Sequence, residues 1–273
     1  MAQKKKLERE NTLRQPVDRF QSAADERIET LGKRFEGKGR PILYGLLALL
    51  GVAIIGGIIY SYSQRSAVAA QTALGKAINI HTAQVSPSPD PNSAELTFPN
   101  DKERTEKAIA AFEEVTAKYG SPHKEKAQYF IAVNRLKLDR AAGIQELENL
   151  SKNSGEVGTL SKFALAEARF ADGKYDEAAA GYNDLLQAKT GIISDETLNF
   201  ALAQAYEKQG KTQEAVDIYF NLVKAAREAK NAEGEAVPQS QTAREASTKL
   251  EKLAPPRYAE LPAEPGGGNV YNF

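Results

Sequence analysis

Cysteine is absent from this 273-residue chain, and histidine occurs only at His81 and His123. Without a thiol there is no lipobox for lipid attachment, no disulfide framework, no cysteine nucleophile and no cysteine metal site. Neither histidine sits in a metal motif. HExxH, GxSxG, a Walker-type glycine–lysine loop and a GxGxxG after a strand are all missing, and Gly266-Gly267-Gly268 reads as linker. An excess of either charge is lacking too, since 36 basic residues balance 36 acidic ones. The carboxylates alternate with Lys and Arg on amphipathic helices as solvent-facing pairs. The expectation is a chain with no catalytic residue, no cofactor and no metal.

Long apolar runs are scarce, with one exception. Pro41 to Tyr62 carries no charge, is dominated by Leu, Ile and Val, and has Tyr44, Tyr60 and Tyr62 near its ends. At about 1.5 Å per residue it reaches roughly 33 Å, enough to cross a hydrocarbon core of about 30 Å. Residues 41–62 are therefore expected to be a single transmembrane helix embedded in lipid. Lys33, Arg34, Lys38 and Arg40 crowd its amino side, whereas Arg65 and Lys76 are the only cations in the 35 residues after it. That asymmetry keeps the head, residues 1–40, in the cytoplasm and exports the remainder. The head holds 11 Lys/Arg against 7 Asp/Glu, so the remainder carries a net charge of −4, which argues against a nucleic-acid partner. A cleaved signal peptide is the competing reading, because Ala67-Val68-Ala69 has the small-x-small form of a cleavage site. A long head and an apolar run beyond about 18 residues favour a retained anchor.

Within the head, Leu13, Val17, Phe20, Ala24, Ile28, Leu31 and Phe35 recur at steps of three and four and form one stripe of a helix. The polar face mixes both charges, which favours a partner helix or self-association over a lipid surface. Residues 63–85 read as a helix continuing outward from the span. Residues 86–100 carry four prolines and no helical period, as a flexible loop would. Helical patterning resumes over 101–253, and residues 254–273, rich in Pro and Gly, read as a disordered tail.

Self-comparison finds a repeat. A shift of 37 residues lays Phe163 on Phe200, Leu165 on Leu202, Ala166 on Ala203, Gly173 on Gly210, Ala178 on Ala215, Tyr182 on Tyr219 and Leu185 on Leu222. The segments FALAEARFADGKYDEAAAGYNDLL and FALAQAYEKQGKTQEAVDIYFNLV resemble the tetratricopeptide repeat. In that family a small residue in the first helix admits the second, and a glycine ends the first. Lys107 to Gly120 and Ala127 to Leu150 look like degenerate units, the latter without the turn glycine, and Gln239 to Leu253 like a capping helix. The fold class expected is all-α: a transmembrane helix followed by a solenoid of three to four helical hairpins.

The resemblance implies that first helices line a groove faced by Phe163, Glu167 and Phe170 of one unit and Phe200, Gln204 and Glu207 of the next. The competing reading gives the two phenylalanines to the core and the glutamates to a solvated face. The Lys and Asn pair with which some family members clamp a terminal carboxylate is missing here.

The whole layout, with AFEEVTAKYGSP before the repeats, also resembles the bacterial YfgM family, described as ancillary subunits of the SecYEG translocon. That resemblance covers about 40–253. It implies a bacterial inner-membrane protein whose periplasmic repeats meet translocon subunits, newly translocated client polypeptides or a periplasmic chaperone. The head, the proline-rich insertion and the tail exceed that family's pattern. The alternative is a cell-envelope or cell-division organiser whose repeats bind wall-synthesis proteins.

Overall fold

The computed structural model describes residues 54–55, 65–87 and 95–264. The chain divides into two compact units, Met1–Ala67 and Val68–Phe273. Of the first, 54–55 and 65–67 are described, and all are helical. The proposed span over 41–62 and the stripe from Leu13 to Phe35 otherwise lie outside the described residues, as do 88–94 and 265–273. Among the described residues no helix is long and apolar enough to cross a membrane.

The second unit is a sequence of helices, each packed on its neighbours in the chain. Helix α1 comprises 65–81, of which 68–81 belong to this unit. A two-stranded parallel pair follows, β1 (Gln84–Val85) with β2 (Thr97–Phe98), in register Gln84 to Thr97 and Val85 to Phe98. Then come α2 (Asp101–Lys118), α3 (His123–Leu138), α4 (Arg140–Leu150), α5 (Glu156–Ala171) and α6 (Tyr175–Ala188). Helices α7 (Asp195–Lys208), α8 (Thr212–Glu228), α9 (Gln241–Leu253) and the short α10 (Pro255–Tyr258) complete it. Helices α1–α2, α3–α4, α5–α6 and α7–α8 form four hairpins, and α9 covers the last.

Local chemistry sets the boundaries. Asn100, Asp139, Ser194 and Ser240 each accept, through the side chain, a backbone N–H three residues on, at the starts of α2, α4, α7 and α9. The α5–α6 and α7–α8 turns share one mechanism. Gly173 (φ 75°) and Gly210 (φ 74°) sit just past the first helix. In the first turn Lys174 N donates to Arg169 O and Gly173 N to Phe170 O; in the second, Lys211 N donates to Tyr206 O and Gly210 N to Glu207 O. These reciprocal bonds close a helix end on a left-handed residue that glycine adopts without steric cost.

Three expectations change. Helix α1 does not stand apart as an outward extension, because Leu74 and Ala77 are buried in one cluster with Phe112, Val115, Ala127 and Ile131. It is the first helix of the first hairpin. The loop over 86–100 is tied at its feet by the β1–β2 pair, by Ser86 N donating to Phe98 O, and by Arg104 Nη1 donating to Ala83 O at 3.0 Å. Residues 254–264, expected to be disordered, are packed. Arg227, its side chain 5% exposed, donates to Pro262 O (2.7 Å), Tyr258 Oη (3.0 Å) and Glu264 (3.1 Å). Arg257 lies 3.8 Å from the centre of the Phe220 ring. The prolines there start α10, where a missing N–H costs nothing, and the tail's apolar and basic side chains find partners on α8.

Candidate functional site

On each of the two regular first helices the expected groove residues recur at steps of four and three, so they share one stripe: Phe163, Glu167 and Phe170 on α5, Phe200, Gln204 and Glu207 on α7. The two phenylalanines do the same thing in successive units. Each is half-buried with its ring tilted onto a buried tyrosine of the second helix, Phe163 on Tyr182 (6.0 Å, 54°) and Phe200 on Tyr219 (5.8 Å, 57°). Such aromatic pairs join the two helices of a hairpin.

Both tyrosine hydroxyls reach back to a glutamate of the first helix. Tyr182 donates to Glu167 at 2.5 Å and Tyr219 to Glu207 at 3.2 Å. Burial first, then the hydrogen bond and charge of Glu167, push the Tyr182 phenol well above its ordinary range. For Tyr219 the order is burial, the charge of Glu207, then the bond to it. The acceptors are not repeat-equivalent, since the 37-residue shift carries Glu167 to Gln204 and Phe170 to Glu207. The carboxylate has moved one helical turn and still meets the same hydroxyl.

The surroundings of the two carboxylates differ. Lys249 of α9 donates to both oxygens of Glu207, at 3.0 and 3.2 Å. Glu167 is exposed and makes no ion pair among the described residues. Phe170 packs edge-on against Tyr175 (5.4 Å), and Gln204 is half-buried beside the fully buried Ala203 and Ala205. The exposed part of the stripe therefore centres on Glu167 and Gln204, which occupy the same repeat position on adjacent first helices.

What spaces the hairpins was not visible in the motif. A link recurs between the start of each second helix and the end of the next unit's first helix. Asp101 of α2 accepts from Lys137 of α3 at 3.5 Å. Arg140 of α4 donates through Nε to Asp172 (2.5 Å) and through Nη2 to Ala168 O (2.6 Å) at the end of α5. Tyr175 O of α6 accepts from Gln209 Nε2 at the end of α7 (2.8 Å). The chemistry changes while the place stays fixed, so residue identity gave no signal. The offset between successive links, close to the repeat length, would have.

His81 donates from Nδ1 to Asn134 Oδ1 at 2.9 Å and packs beside the stacked rings of Phe112 and Phe130, with Asn134 buried. It joins α1 to α3. Among the described residues no group of three or more His, Asp or Glu could hold a metal ion.

No family model matches the chain, and no curated protein matches it. Among solved structures it is similar to two crystal structures of a kinesin light chain-like protein of Podosopora anserina with nearly identical TPR-like repeats, one of them of a variant carrying a Gln-to-Met substitution. Identities are 21% and 20%; each match covers 56% of this chain and 78% of the other, with a TM-score of 0.44.

Proposed function

We propose that the chain is a non-enzymatic, membrane-anchored scaffold that binds polypeptide along the first-helix face of tetratricopeptide-type hairpins. One observation carries this reading: Glu167 and Gln204 stand at the same repeat position of consecutive units, on a stripe whose aromatic members are fixed from behind by Tyr182 and Tyr219. A rigid, periodic row of polar side chains suits an extended chain, whose own side chains repeat along its length.

The anchor in this proposal is the apolar run over 41–62, with the head cytoplasmic and the repeats on the far side of a bacterial inner membrane. It rests on hydropathy and on the cation asymmetry around Arg40. The partners proposed are translocon subunits, emerging client polypeptides or a periplasmic chaperone, on the strength of the layout's resemblance to the YfgM family.

Photocrosslinking in intact cells from positions 167 and 204 tests the face and the partner together. Capture of translocon subunits or nascent exported chains is the expected result. Recovery of division or wall-synthesis enzymes with no translocon subunit would replace the export reading with that of an envelope organiser. Digestion of residues 101–253 by protease added to sealed spheroplasts, with residues 1–40 cleaved only after the membrane is permeabilised, is the expected topology.

A further inference from the structure

The helix starts at Ser194 and Ser240 are built alike, yet what precedes them differs. Each serine accepts a backbone N–H three residues on, Thr197 N at 3.1 Å and Ala243 N at 3.0 Å. Before the first stands Ile193, which packs into the cluster containing Leu185 and Leu198. Leu198 is four residues into α7, so the pair is a hydrophobic staple that seals the junction between α6 and α7. Before the second stands Gln239, and the residue four into α9 is Arg244. No staple can form there.

A cavity of about 720 Å3 opens at this place, lined by α7, α8 and the segment before α9. Its wall includes Leu222, the repeat equivalent of the buried Leu185, together with Ile218, Ala225 and Val237. Val237 is 38% exposed, an aliphatic side chain left at the mouth. The rim carries Asp195 and Glu196, the latter accepting from Ser240 Oγ, and no lysine or arginine lines the site. In the preceding junction the chain fills the corresponding space with its own isoleucine. Here it is left apolar, acidic at the edge, and open.

We propose that this cavity is a second polypeptide-binding site that takes an aliphatic side chain from an extended segment, with a flanking lysine or arginine of that segment paired to Asp195 and Glu196. The seat for the side chain is the one Ile193 occupies one unit earlier, and the acidic rim selects the charge beside it. This site is separate from the stripe of Glu167 and Gln204 and does not depend on it.

The test uses the full-length chain and a fluorescein-labelled, end-blocked peptide with an isoleucine flanked by lysines, read by fluorescence anisotropy. Replacing the isoleucine by serine should weaken binding roughly tenfold or more, the range for losing an aliphatic group from an apolar pocket. Replacing the lysines by glutamates should weaken it by about threefold or more, and raised salt should narrow that difference. Gln239→Ile, which supplies the isoleucine missing before the cap, should abolish binding by occupying the seat while keeping the melting temperature; Ala226→Leu fills the same space from α8 if that variant folds poorly. Glu167→Gln should bind as the parent does. Undiminished binding to a folded Gln239→Ile or Ala226→Leu chain, a preference for the glutamate peptide, or loss on Glu167→Gln alone would overturn the assignment.

Discussion

A hydroxyl donated to a carboxylate at the edge of a hydrophobic cluster is the recurring polar device of this chain. Tyr182 is 1% exposed and Tyr219 fully buried, yet each places its oxygen against a glutamate that water can reach. Tyr182→Phe keeps the ring and removes the donor, so it should cost about 1 kcal/mol, because the exposed Glu167 regains water. Urea unfolding at neutral pH measures that loss. The raised phenol pKa values also fix a pH dependence. The unfolded chain releases these protons near pH 10 while the folded chain holds them, so stability is complete below about pH 10 and falls as pH rises above it. A chain carrying both Tyr182→Phe and Tyr219→Phe should lose less stability than the parent between pH 9 and about pH 11. Small residues at the crossing form the second device. Ala166 is 1% exposed, and a Cβ added to Gly181 would lie 3.0 Å from the Ala166 Cβ. Ala166→Leu should therefore cost about 1–3 kcal/mol by overpacking, and an unchanged melting temperature would refute the repeat register.

At the scale of helices, the degenerate second hairpin shows how a repeat survives without its usual turn. Helices α3 and α4 are separated by Asp139 alone, whose carboxylate accepts from Ala142 N at 3.1 Å and so replaces the missing glycine turn with a side-chain cap. The helices then approach so closely that a Cβ on Gly143 would sit 2.5 Å from Leu136 N and 2.9 Å from Leu136 Cα. Backbone cannot yield as a side-chain tip can. Gly143→Ala is expected to force α3 and α4 apart at about 1–3 kcal/mol, seen as a lower thermal midpoint. The links between hairpins are weaker individually. Arg140, whose side chain is 40% exposed, bonds both the Asp172 carboxylate and the Ala168 carbonyl. Arg140→Ala should cost about 0.5–1 kcal/mol after allowance for solvent, and Arg140→Lys should not restore it, since an ammonium lacks the planar fork that serves two acceptors at once.

For the second unit as a whole, order along the chain becomes order in space. Each helix packs on those beside it in sequence, so stability propagates from neighbour to neighbour and the ends are held by what covers them. At the carboxyl end that cover is α9 with residues 254–264, through Arg227, Tyr258 and Leu261. Ending the chain at 253 should speed amide hydrogen exchange in α8 and α9 while leaving α2 to α4 unchanged. A uniform change across all helices would show a single cooperative block instead. The amino-acid sequence by itself determined where most of these helices run, the 37-residue repeat that pairs Phe163 with Phe200 and Tyr182 with Tyr219, and the glycine turns at 173 and 210. Those features follow from local dihedral preference and from periodicity, which a linear string records. Only the tertiary structure decided which glutamate meets each tyrosine hydroxyl, that α1 joins the first hairpin, that residues 254–264 are packed, and that a cavity stands where Ile193 has no counterpart. These depend on distances between residues far apart in the chain, and a shift of one helical turn, as between Glu167 and Glu207, is enough to change the position while keeping the contact.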